Sequence, residues 1–109
     1  MARKVRVLAA ALWLIAAPAL AQTQIQQLRL VAPAAPGGGW DQTARAMQQA
    51  LQRAGIVGIA PVENIPGAAG TIGLARFIGA ERGSGDTLMV SGLIMLGGIV
   101  TNASPVNTK

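Results

Sequence analysis

Two proline- and glycine-rich punctuations, Pro33 to Gly39 and Pro66 to Gly70, each stand between a short strand-type segment and a stretch of helical period. Proline removes a backbone donor and glycine readily takes positive φ, so neither strand nor helix can run through them. A chain with this punctuation must alternate short strands and helices through tight loops.

The segments on either side support that alternation. Gln26 to Ala32 alternates Leu28, Leu30 and Ala32 with Gln27, Arg29 and Val31, which predicts a first strand. From Trp40 to Ala54, Ala44, Met47, Ala50, Leu51 and Ala54 recur on one face of a 3.6-residue period, predicting a helix that Gly55 would cap. Ile59 to Glu63 follows as a second strand. A second helix is expected from about Gly70 to Ala80, burying Ile72, Leu74, Ala75 and Ile78, although Gly73 and Gly79 weaken it. Thr87 to Ser91 completes the order as a strand whose apolar continuity predicts burial on both faces. Strand, helix, strand, helix, strand argues for an α/β fold with a parallel sheet, right-handed crossovers and helices on its faces.

The amino-terminal segment belongs to another class. Arg3, Lys4 and Arg6 precede the 14 apolar residues Val7 to Leu20 and the small-residue triplet Ala19-Leu20-Ala21, the order of a secretory signal peptide. A stretch this short falls below the roughly 20 residues a membrane-spanning helix needs. Cleavage is expected between Ala21 and Gln22, leaving residues 22–109 as a mature periplasmic chain that does not span the membrane. The run Leu88 to Val100, 13 residues with Gly92, Gly97 and Gly98 inside, is read as a buried strand leading into a helix. Thr101 to Lys109 shows no pattern of either kind, so the chain is expected to stop inside a domain.

Charge and composition narrow the function. The whole chain carries +5, but losing Arg3, Lys4 and Arg6 leaves six basic against four acidic residues, a net charge of +2. The remaining arginines are scattered singly, which argues against a nucleic-acid partner. There is no cysteine, histidine or tyrosine, which removes disulfides, thiolate metal sites and the usual general base. No catalytic residue, metal or cofactor is expected, and an enzyme is the weakest of the function classes.

Ligands of open parallel sheets gather beyond the carboxyl ends of the strands, where both punctuations would lie. Each would also end at a helix amino terminus, whose unpaired N–H groups and partial positive charge suit an anion. The candidate ligand residues are therefore Gly37, Gly38, Gly39, Trp40 and Asp41 in loop one and Gly67, Ala68, Ala69, Gly70 and Thr71 in loop two. Hydrogen bonds to a charged group contribute about 1.5–3 kcal/mol each, so four of them reach the roughly −8 kcal/mol of micromolar affinity before ordering costs. Nucleotide-binding patterns fail: no lysine followed by Ser or Thr closes the first loop, and Gln42 stands where a dinucleotide fingerprint needs glycine. Asp41 can complement the helix dipole or orient a bridging water or a ligand hydroxyl or amine. Trp40 can wall a pocket or anchor its helix, and Ser91 can reach the ligand or bond local backbone.

The blocks Leu28-Arg29-Leu30-Val31-Ala32-Pro33-Ala34-Ala35-Pro36-Gly37-Gly38-Gly39-Trp40-Asp41, Val62-Glu63-Asn64-Ile65-Pro66-Gly67-Ala68-Ala69-Gly70-Thr71-Ile72-Gly73 and Gly85-Asp86-Thr87-Leu88-Met89-Val90-Ser91-Gly92 resemble, in order and spacing, the tripartite tricarboxylate transporter receptors, the Bug family. The resemblance implies a periplasmic-binding-protein-like fold in which two α/β domains close on ligand like a clamp. It further implies a small carboxylate ligand, a tricarboxylate, dicarboxylate or related organic acid, held by main chain and bridging waters at Gly37 to Asp41 and Gly67 to Thr71. Its expected partners are the membrane subunits of the transporter. Family members are much longer, so the resemblance implies that this chain is part of the first domain, with a fragment or a non-functional truncated product as the expectation. A ligand-sensing module of a signalling system would use the same fold, and remains the alternative from another class.

Overall fold

A computed structural model describes residues 24–102. The signal segment, its Ala21–Gln22 cleavage site and residues 103–109 lie outside the described residues. The order of elements is β1 (Ile25–Gln27), β2 (Arg29–Ala32), α1 (Gly39–Arg53), β3 (Val57–Ile59), β4 (Val62–Asn64), α2 (Thr71–Ala80), β5 (Thr87–Met89) and α3 (Leu93–Thr101), with a short left-handed turn at Ala68–Gly70 before α2. The fold is mixed α/β with short parallel sheets.

Every strand pair among the described residues is parallel. β1 pairs with β3, and β2 lies between β4 and β5 in a second sheet. The first two expected strands, Gln26 to Ala32 and Ile59 to Glu63, are thus each split in two. The cause is local: Pro61 has no N–H to donate, and it restricts Ala60 before it. Ile25↔Val57, Gln27↔Ile59 and Leu30↔Val62 nevertheless keep one register offset, so the two sheets are one ladder interrupted at Leu28 and Pro61. Two bonds bridge the gap, from the Leu28 N–H to the Ile59 carbonyl at 3.0 Å and from the Leu30 N–H to the Pro61 carbonyl at 2.8 Å.

The core sits around β2, where Leu30, Val31 and Ala32 are all buried. Successive strand side chains point to opposite faces. Leu30 and Ala32 pack with Ala44, Met47 and Leu51 of α1, whereas Val31 lines a hollow with Ile65, Phe77 and Ala80 on the side of α2. Gly55 caps α1 as expected: at φ +68° it lets its own N–H reach the Gln52 carbonyl and the Ile56 N–H reach Leu51, each at 3.1 Å.

Three burial expectations are corrected. In α2 the buried residues are Thr71, Gly73 and Leu74, while Ile72 and Ala75 are exposed and Ile78 is half-buried. A Cβ on Gly73 would lie 2.8 Å from the Pro33 Cβ, so the glycine lets α2 sit directly on the start of loop one, and this contact turns the helix. β5 ends at Met89 rather than Ser91 and is not buried on both faces, since it is an edge strand and Leu88 is exposed. The run to Val100 does become strand and then helix. In α3, however, only Met95 and Gly98 are buried, while Leu93, Ile94 and Val100 are 82%, 71% and 81% exposed. No helix among the described residues is long and apolar enough to cross a membrane.

Candidate functional site

Parallel pairing places the ends of β4, β2 and β5 at one edge, with Ala32 beside Asn64 and Val31 beside Met89. Loop one leaves β2 there, loop two leaves β4, and Ser91 and Gly92 leave β5. The candidate residues from all three segments therefore share one sheet edge, as the strand order requires.

Loop one turns through Gly37 at φ +86° and hands over to α1 at Gly38, which has no side chain to cap the helix. Asp41 in the first turn bonds back to the loop and leaves the first N–H groups of α1 uncapped. It is buried, and its Oδ2 accepts the Gly37 N–H at 2.8 Å and the Arg45 Nε–H at 3.0 Å, while its Oδ1 accepts the Asn64 Nδ2–H at 2.9 Å. The Gly37 N–H, then Asn64, then Arg45 stabilise the ionised form and outweigh the opposing effect of burial, holding its pKa at about 2. Asp41 therefore complements the helix end and ties the loop down, with its carboxylate engaged inside the protein. Gln42 and Thr43 secure the same turn through the Gly37 and Gly39 carbonyls, each at 2.9 Å.

Loop two is built differently. Gly67, Ala68, Ala69 and Gly70 all have positive φ, at 119°, 49°, 54° and 90°. Left-handed backbone costs an L-residue about 1–2 kcal/mol, so Ala68 and Ala69 hold it only because their surroundings impose it. Thr71, buried at the start of α2, donates its hydroxyl to the Ala68 carbonyl at 2.9 Å. Its side chain closes the turn and is not presented to the edge.

Trp40 joins the three segments. A Cβ on Gly70 would lie 2.8 Å from the Trp40 Cζ3, and one on Gly92 would lie 3.3 Å from its Nε1. The half-buried indole thus packs on loop two and on the segment after β5, so its anchoring role is realised, and one of its faces borders a groove of about 190 Å³ with Ala34, Gly39 and Ile94. Ser91 is exposed and borders a neighbouring groove of about 310 Å³ with Gly92, Leu93, Met95 and Leu96.

At this sheet edge the N–H groups of Gly39, Trp40 and Asp41 in loop one, and of Ala68 and Ala69 in loop two, meet no acceptor among the described residues. Such donors at a helix start suit an anion. A Cβ on Gly39 would meet nothing within 4 Å, whereas one on Gly38 would come to 3.1 Å from the Ala35 carbonyl oxygen. Gly39 therefore faces open space at the helix end, and Gly38 serves the turn. A separate hollow of about 260 Å³ lies beside the start of β2, lined by Arg29, Glu63, Arg76 and Phe77 among others, and includes none of the loop residues. Arg29 is paired there with both Glu63 and Glu81.

Sequence reasoning missed Asn64, which donates to Asp41 and to the Ala34 carbonyl at 3.0 Å and so fastens loop one to the end of β4. Its position at a strand end, two residues before Pro66, was the available signal. It also missed Met95, Gly98 and Asn102 of the α3 region, which touch loop two from far along the chain and carry no local mark. Comparison with known protein families, curated proteins and solved structures finds no match.

Proposed function

We propose that this chain is a periplasmic solute receptor that captures a small organic acid for a tripartite tricarboxylate transporter, with residues 22–109 belonging to the first α/β domain of a two-domain clamp. The observation that carries this reading is the set of unengaged N–H groups on Gly39, Trp40, Asp41, Ala68 and Ala69 at one sheet edge around Trp40. Backbone donors at a helix start favour a carboxylate over a neutral ligand. The resemblance of the loop blocks to the Bug receptors supports the same ligand class, and the signal-peptide pattern supports export.

Calorimetry with mono-, di- and tricarboxylates tests the reading. At least one acid is expected to bind with micromolar affinity. A Cβ at Gly39 meets nothing within 4 Å, and Gly39→Val is expected to weaken that acid by at least about tenfold, or 1.4 kcal/mol, with an unchanged circular dichroism spectrum. Binding of no acid by the parent chain overturns the proposal. Export is checked by mass spectrometry of periplasmic extract, where the mature chain is expected to begin at Gln22.

A further inference from the structure

We propose that Gly98 and Asn102 are positioning residues for loop two, so that α3 sets the affinity of a carboxylate site to which it contributes no donor of its own. The inference rests on the carboxylate reading of the loops given above. Its starting point is the left-handed turn, in which Ala68 and Ala69 adopt φ of 49° and 54°. Two consecutive L-residues keep that conformation only where neighbouring atoms over-determine it.

Besides the local Thr71 hydroxyl, the bond from the Gly70 N–H to the Gly67 carbonyl at 3.0 Å and the Trp40 indole against Gly70, the atoms that do so come from α3 and its end. The Asn102 Nδ2–H donates to the Ala68 carbonyl at 3.3 Å. Gly98, buried in α3, approaches so closely that a Cβ on it would stand 2.8 Å from the Ala69 Cβ and 3.3 Å from the Ala68 oxygen. Buried Met95 brings its Cε to 2.9 Å from where a Gly70 Cβ would be. The φ angles of Ala68 and Ala69 aim their own N–H groups. A shift of α3 away from the turn would let those angles relax and re-aim the two donors.

The test uses the full chain carrying Trp13→Phe, which leaves Trp40 as the one tryptophan of the two present. Because Trp40 touches Gly70, its emission reports the position of loop two independently of any ligand. Gly98→Ala is expected to shift Trp40 emission and to weaken the preferred carboxylate by at least about tenfold. Ala69→Gly removes the methyl that the new Cβ meets and accepts positive φ, so Gly98→Ala combined with Ala69→Gly is expected to return to within roughly threefold of Ala69→Gly alone. Gly97→Ala makes the same chemical change in α3 where nothing lies within 4 Å, and is expected to leave both readouts unchanged. Should Gly98→Ala fail to fold, Asn102→Ala carries the test, with a loss of roughly threefold or more expected from one hydrogen bond. Parent-like affinity and emission in folded Gly98→Ala, or an equal loss in Gly97→Ala, would overturn the inference. If the parent binds no acid, the carboxylate reading fails, and an unchanged Trp40 emission in Gly98→Ala then sinks the α3 clamp separately.

Discussion

Asn64 stands at the end of β4 and reaches the carboxylate of Asp41 at 2.9 Å, so a residue of the second strand-loop unit holds the first turn of the first helix. The same amide donates to Ala34, and Asp41 accepts the Gly37 N–H, which closes a circuit through both ends of loop one. The shape of loop one is therefore set in part from outside it, by Asn64.

Asn64→Ala removes both donors at once and leaves the Asp41 Oδ1 without its protein partner. A destabilisation of about 1–3 kcal/mol is expected, measured by urea denaturation, with Asn64→Asp at least as damaging near neutral pH because it sets two carboxylates face to face.

Asp41 also predicts acid sensitivity of a definite sign. Its folded pKa is depressed to about 2 from an ordinary 3.8, so the stability it contributes is fully present above about pH 4 and is lost as pH falls toward 2. Asp86 acts in the same direction, its carboxylate held below the usual range by the Ser84 and then the Thr87 hydroxyls. Thermal melts between pH 5 and pH 2 are expected to show a falling midpoint, with a shallower slope in Asp41→Asn. An equal slope in that variant would mean that Asp41 does not carry the acid response.

The two glycines of α2 should respond oppositely to alanine. At Gly73 a Cβ would press on Pro33 at 2.8 Å, and overpacking of this kind costs about 1–3 kcal/mol. At Gly79 nothing lies within 4 Å, so alanine there is expected to stabilise by about 0.5–1 kcal/mol through the helix backbone alone. Chemical denaturation of the two variants checks both signs.

The outer side of α3 predicts association. Leu93, Ile94 and Val100 are exposed together on a helix without a charged residue, a patch of the kind that binds other apolar surfaces. The chain is expected to bind a hydrophobic dye and to elute at a volume that depends on concentration. Leu93→Gln with Val100→Gln should reduce both effects. A monomeric elution volume and no dye binding in the parent would count against it.

Local order was legible in the sequence because local rules govern it. The period of Ala44, Met47 and Leu51 marks α1, Gly55 ends it through bonds within six residues, and two proline-glycine punctuations place loop one and loop two after parallel strands. The strand–helix alternation was enough for an α/β chain with its candidate residues at one edge. Tertiary structure decided what depends on atoms far apart in the chain. β5 lies exposed at Leu88 because among the described residues it pairs with β2 alone, and Gly73 rather than Ile78 faces inward because Pro33 lies against it. Asp41 and Thr71 spend their oxygens inside the protein, Asn64 and Gly98 hold loops they do not belong to, and the apolar run after β5 turns most of its side chains to solvent. Periodicity states which residues can share a face, but which face meets a neighbour is set by packing, and packing is a property of the whole fold.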